Sequence, residues 1–253
     1  MVIQVGRGGM AFMPEGGSPM ALGQASGTVR REALLPEWEG MPGRIRMVGG
    51  FGALVLGGKG GTEEPLYDVL DDDFDLRVTG TCEALEEDMP ADQSLIVVNN
   101  DCWNEPLTDA QAIKLAHFVE SGGGLVLLHG GISIASHPVL KNLVGASCVE
   151  RPANRRLSFQ AVIGKGGIHP AVQDIQPFEL AEEPYRYSFL PSPDREVIME
   201  YMLDGQRYPA AWAHRAGRGR IVVLLPGHTR ETLRHPQVSR LLRSCSLWAS
   251  GRI

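Results

Sequence analysis

The stretch GGGLVLLHGG, Gly122–Gly131, carries three instructions in ten residues. Its leading glycines stop whatever helix comes before them. The run LVLL is continuously apolar, the pattern of a strand covered on both faces and therefore of a parallel sheet. His129 then enters a turn in which Gly130 and Gly131 supply backbone freedom and room for another chain segment or a ligand to come close. A strand delivering one reactive side chain into a tight turn resembles a nucleophile elbow, with an imidazole where serine or cysteine would stand.

Working outward, LTDAQAIKLAHFVESGGG predicts a helix that feeds this strand. Thr108 suits its N-cap with Gln111 three residues on, and the Gly122 cluster ends it. Upstream lie FGALVLGG (51–58), the helical PLYDVLDD, the more exposed strand FDLRVTG and the buried run SLIVVNND (94–101). Alternating strands and helices imply βαβ units. The second half differs: RLSFQAVI, EVIMEYML, YPAAWAHR and RIVVLLPGH read as strands on short connections, with AGRG as a hairpin turn. HPQVSRLLRSCSLWAS closes the chain as an amphipathic helix. The expected fold class is therefore α/β: a mostly parallel, flavodoxin-like sheet flanked by helices, with extra antiparallel strands in the C-terminal half. Residues 1–48, rich in Gly, Pro and Met without sustained periodicity, are expected to form a flexible arm, and 49–253 the domain.

Composition narrows the function classes. A net charge of −6 gives no basic surface for nucleic acid. No apolar stretch approaches the roughly 18 residues of a membrane span, and a secretory signal pattern is lacking. The four cysteines, Cys82, Cys102, Cys148 and Cys245, are far apart in sequence and read as free thiols in a reducing compartment, so a cytoplasmic location is expected. The acidic block Asp71–Asp75 reads as a solvated turn.

In open α/β sheets ligands bind beyond the carboxyl ends of the strands, and this chain collects polar groups there. The first strand ends in GGKGG (57–61), which lacks P-loop spacing and so argues against nucleotide binding. The next central run ends in Asn99, Asn100 and Asp101, with Trp103 close by; the third ends in His129 and the late strand RIVVLLPGH in His228. Asn99 and Asn100 suit either turn backbone or substrate. EEPYRYSF, Glu182–Phe189, reads equally as a surface turn followed by an edge strand or as a segment that brings one carboxylate and one phenol over the same edge, where a glutamate beside two imidazoles makes either a metal site or an acid–base set. His137, His169 and His235 each precede proline and read as turn residues; His117 and His214 receive no role.

The succession VVNND-W, FVESGGGLVLLHGG, EEPYRY, AWAHRAGRGRIVVLLPGHT and a closing helix with LW resembles the ThuA-like family over residues 51–250. That family is named for trehalose utilisation and has a class I glutamine amidotransferase-like fold. Such amidotransferases carry cysteine where His129 stands, and a glutamate two residues beyond the late histidine, where this chain has Arg230 followed by Glu231. Imidazole is a poor substitute for a thiolate in forming a glutamyl thioester, so glutamine hydrolysis is disfavoured; Cys102 is the one cysteine worth testing for that chemistry.

The resemblance implies carbohydrate catabolism, including keto-sugars, with Asn100, His129, Glu183, Tyr185 and His228 as the matching positions. His129, His228 and Glu183 are the expected catalytic residues, as acid–base groups or as ligands of a divalent metal such as zinc. Asn100 and Tyr185 would orient sugar hydroxyls, with Gly58 and Gly130 as backbone contacts. The expected partners are a small-molecule substrate, a sugar, and a second copy of the chain, with neither nucleic acid nor membrane. The segment GISIASHPVLKNLVGAS, shorter than its family counterpart, is expected to be a loop over the pocket. A non-catalytic sugar-binding or scaffolding domain is the alternative.

Overall fold

The structure is a computed structural model that describes residues 51–57, 61–191 and 194–253; the expected arm, residues 1–48, and Gly58 lie outside the described residues. The first half runs β1 (Phe51–Leu56), α1 (Glu63–Leu70), β2 (Phe74–Thr79), β3 (Gln93–Val98), α2 (Asp109–Glu120) and β4 (Gly124–Leu128). There follow α3 (Pro138–Val144), β5 (Ala146–Glu150), β6 (Arg155–Ala161), the short β7 (Ile163–Gly164) and β8 (Gly167–Ile168), β9 (Phe178–Glu182) and β10 (Arg186–Phe189). β11 (Glu196–Leu203), β12 (Gln206–Ala216), β13 (Gly219–Leu224), α4 (Arg230–Leu233) and α5 (Pro236–Ala249) complete the chain.

Nine strands form one sheet in the order β2-β1-β3-β4-β13-β12-β11-β6-β9. The first five are parallel, and β12, β11, β6 and β9 extend the sheet antiparallel. This is the flavodoxin-like order with β13 as fifth strand. The apolar runs explain it: every residue of β4 is buried, as are five of six in β1 and in β13. Each fully buried Leu, Ile or Val contributes about 1.5–3 kcal/mol of transfer free energy. Because the crossover from β1 to β2 runs opposite to that from β3 to β4, right-handed connections set α1 and α2 on opposite faces. α1 then packs with α5, and α2 with α3.

Several local expectations are met in detail. Thr108 and Gln111 make a reciprocal capping box at α2. His137, His169 and His235 do more than sit before proline. Each accepts a hydrogen bond from the backbone N–H two residues on and caps a helical turn. Two readings are corrected. GISIASHPVLKNLVGAS is no surface loop: His129–Ser136 is a 3-10 helix followed by α3, and Gly130 to Ala135 are all buried. Its Ile132, Ile134, Leu140 and Val144 are all buried, which draws the segment into the core. In the acidic block, Asp73 is not simply solvated, since Arg243 donates to both its oxygens, at 2.5 and 2.9 Å. Among the described residues no helix is long and apolar enough to cross a membrane.

Candidate functional site

The elbow after β4 is built by close packing. A Cβ on Gly131 would lie 2.0 Å from the Val98 carbonyl oxygen, so only glycine lets this turn cross the end of β3. The crossing forces His129 into the left-handed region, φ 46°, a conformation uncommon outside glycine. Strain of this kind persists where surrounding contacts hold it. Here Nδ1 of His129 lies 2.8 Å from the Leu225 carbonyl oxygen at the end of β13. A carbonyl only accepts, so one proton sits on Nδ1; Nε2 faces the site and donates to Glu183 when the ring carries a second proton.

His228 follows β13 through Pro226 and Gly227. Its ring stacks on His129 with centroids 4.5 Å apart and planes 9° from parallel. Both carboxylates of the EEPY segment arrive, in different roles. Glu182, wholly buried, accepts from the backbone N–H of Gly227 (3.0 Å), His228 (3.3 Å) and Glu183 (3.0 Å). Its carboxylate also lies 3.6 Å from Nδ1 of His129 and 3.7 Å from Nδ1 of His228. Glu183, with 28% of its side chain exposed, faces outward between the rings, 3.3 Å from Nε2 of His129 and 3.8 Å from Nδ1 of His228. Hydrogen bonding to His129 holds Glu183 below the usual carboxylate range against its partial burial, and His228 and the Tyr185 hydroxyl act in the same direction. Tyr185 is buried with its ring 4.5 Å from His129; burial, then the charge of Glu183, push its phenol up.

The structure therefore brings together His129, His228, Glu183 and Tyr185. Gly130 is adjacent in the chain but packs against Asp101. Asn100 is engaged with backbone: its amide donates to the Gly80 carbonyl at 3.0 Å, and its buried Oδ1 finds no donor among the described residues. Arg230, where amidotransferases have glutamate, pairs instead with Glu64 of α1. Glu182 is the functional residue that sequence reasoning left without a role. Its signal was the doubled carboxylate, but only the folded sheet shows which member is buried.

How β9 reaches the site is a property of the whole sheet. β9 stands four strands from β13, four steps of about 4.8 Å, or roughly 19 Å across a flat sheet. Glu182 at its end is nonetheless 3.0 Å from the Gly227 nitrogen just beyond β13. The antiparallel extension therefore curls back toward the carboxyl edge of the parallel strands.

One donor atom each from His129, Glu182 and His228 lies within 4.8 Å of the others, close enough to consider a metal. The separations of 3.3 and 3.8 Å around Glu183 are also near those between ligands of a tetrahedral ion. The ring orientation does not fit. An ion bound by imidazole lies in the ring plane, and two stacked planes only 9° apart do not converge on one point beside both rings. Glu182 is, moreover, already committed to three backbone donors. As arranged, the rings and carboxylates do not fit one shared ion.

A flavodoxin-like sheet with an imidazole on a left-handed elbow, and a second imidazole after the fifth parallel strand, defines an α/β protein of amidotransferase-like architecture without the elbow thiol. More narrowly, the family model described as "ThuA: Trehalose utilisation" matches residues 57–249, and the chain belongs to that family. A role related to trehalose utilisation thus holds at the level of the family. Among solved structures, a ThuA-like protein of Parabacteroides merdae superposes with TM-score 0.66 at 15% identity, over 81% of this chain and 91% of that one. A ThuA-like protein of Bacteroides uniformis gives 0.63 at 18% identity, over 83% and 95%. A cytoplasmic protein of Salmonella typhimurium gives 0.55 at 12%, over 78% and 97%. At these identities the likeness is one of fold. No curated protein matches the sequence.

Proposed function

We propose that this chain acts on a carbohydrate, a keto-sugar of disaccharide catabolism, by acid–base proton transfer next to the carbonyl. The observation that supports it most is Nε2 of His129 set 3.3 Å from the Glu183 carboxylate while Nδ1 is held on the Leu225 carbonyl. Glu183, held low, suits the role of counter-ion, which leaves the His129 imidazole as the base. Nε2 of His129 takes the proton from the carbon beside the carbonyl. The imidazolium so formed donates to Leu225 through Nδ1 and to Glu183 through Nε2. His129 returns the proton, and His228, with 41% of its side chain exposed, hydrogen-bonds the oxygen on which charge develops. Tyr185 donates to Glu183 and orients it. Glutamine hydrolysis is not part of this reading, because an imidazole occupies the elbow and the Cys102 sulfur lies against Cys82.

Cysteines held as thiols and the cytoplasmic Salmonella relative support a cytoplasmic setting, with the sugar as the principal partner. The test is proton NMR of ketoses and keto-disaccharides in deuterium oxide, with calorimetric binding alongside. Protein-dependent exchange of the hydrogen next to the carbonyl, lost in His129→Ala, is expected. Binding without exchange for every keto-sugar tried would overturn the catalytic reading in favour of a sugar-binding domain.

A further inference from the structure

At the carboxyl edge of β2 and β3 lie two thiols that the acid–base chemistry does not use. Cys82 opens a 3-10 turn (Cys82–Leu85) after β2, capped by Thr81, and is half-buried. Cys102 follows β3 and is buried. Twenty residues apart in sequence, their sulfurs are 3.9 Å apart. We propose that Cys82 and Cys102 form a peroxide-responsive dithiol site, which hydroperoxides convert to a disulfide.

A disulfide bond is about 2.05 Å long, so the sulfurs must close by roughly 1.9 Å, within reach of side-chain rotation and a small shift of the short turn that carries Cys82. The more accessible Cys82 is the attacking group. Its thiolate takes one oxygen of hydrogen peroxide, the O–O bond breaks, and the departing hydroxide combines with the proton the thiol had released to give water. The Cys102 sulfur then attacks the Cys82 sulfenic sulfur, the S–O bond breaks, and the hydroxyl leaves with the Cys102 proton as a second water. Two thiols are oxidised by two electrons, and one peroxide is reduced to two waters. The hydrogen bond with Cys82, then burial, push the Cys102 thiol well up, consistent with its waiting as a neutral resolving partner. The other cysteines lack such a neighbour among the described residues: the Cys148 sulfur bonds the Glu150 carbonyl, and Cys245 faces the Ala171 carbonyl from the core.

The pair is joined to the elbow. The Cys102 N–H donates to Ser133 Oγ at 2.7 Å, in the 3-10 helix that His129 begins, and the Asn100 amide lies between Gly80 and the Cys82 sulfur. The test treats the full chain with hydrogen peroxide, blocks remaining thiols with iodoacetamide and maps peptides by mass spectrometry. A Cys82–Cys102 linked peptide, two hydrogens lighter than its parts, reverting with dithiothreitol and absent from Cys82→Ser, is expected. Both thiols alkylated while Cys148 alone is oxidised, or a link between other cysteines, would overturn the proposal. The wild-type map is decisive even where Cys102→Ser fails to fold.

Discussion

Replacing Glu182 should damage the fold more than replacing Glu183, although the two are neighbours in sequence and share the site. Glu182→Ala strips the acceptor from three backbone N–H groups, those of Gly227, His228 and Glu183. An unsatisfied buried donor costs about 1–3 kcal/mol, and water admitted to the vacated space recovers part of that. A loss of roughly 3 kcal/mol follows. For a domain of this size that lowers the melting temperature by roughly 6–12 °C, at about 2–4 °C per kcal/mol. Glu183→Ala removes a partly exposed contact with His129 and should cost under about 1 kcal/mol while abolishing the proposed proton exchange. Urea unfolding at constant m-value measures both, and hydrogen exchange at the Gly227 and His228 amides should accelerate in Glu182→Ala alone. If Glu182→Ala unfolds within about 0.5 kcal/mol of wild type, the carboxylate does not anchor the His228 turn, and the assignment of roles is wrong.

Gly131→Ala drives a methyl to within 2.0 Å of the Val98 carbonyl and should cost roughly 3 kcal/mol or more, whereas Gly130→Ala meets only ordinary contact at 3.5 Å; thermal melts separate the two. His169 and His214 are both held neutral, their imidazoles pushed down chiefly by burial, so the unfolded chain binds more protons and stability should fall as pH drops below about 6.5; a flat profile there would contradict their burial. Glu183 is held low, so its contribution is present above the ordinary glutamate range of about 4.3 and is lost as pH falls through its lower folded value; Glu183→Gln should flatten that acid limb of the unfolding profile. Tag-free protein should contain less than stoichiometric divalent metal. Near-stoichiometric zinc, lost in both His129→Ala and His228→Ala, would show that the two rings turn out of their stack to bind it.

The sheet was legible because its central strands are buried on both faces and are written as unbroken apolar runs, as LVLL and RIVVLL are. The α2 cap was equally plain, since Thr108 and Gln111 act locally. That His129 and His228 lie together was legible because side chains at strand ends converge wherever those ends share an edge. Glu182 could not be separated from Glu183, because which of them is buried depends on the path of β9 across the antiparallel strands. The approach of Cys82 to Cys102 was hidden in the same way. It depends on loops after two strands that are not hydrogen-bonded neighbours, β1 lying between them.

The curl that carries β9 over the edge makes the site a measure of whether the entire sheet is assembled. Half of the acid–base pair is set by local chain geometry at the elbow, and the other half arrives only when the far margin of the sheet has come round. Such long-range closure is costly in loop entropy and forms late in folding. A ligand touching both His129 and Glu183 would therefore brace the antiparallel strands against the parallel ones, and substrate would act on this chain as a clamp on its most distant seam.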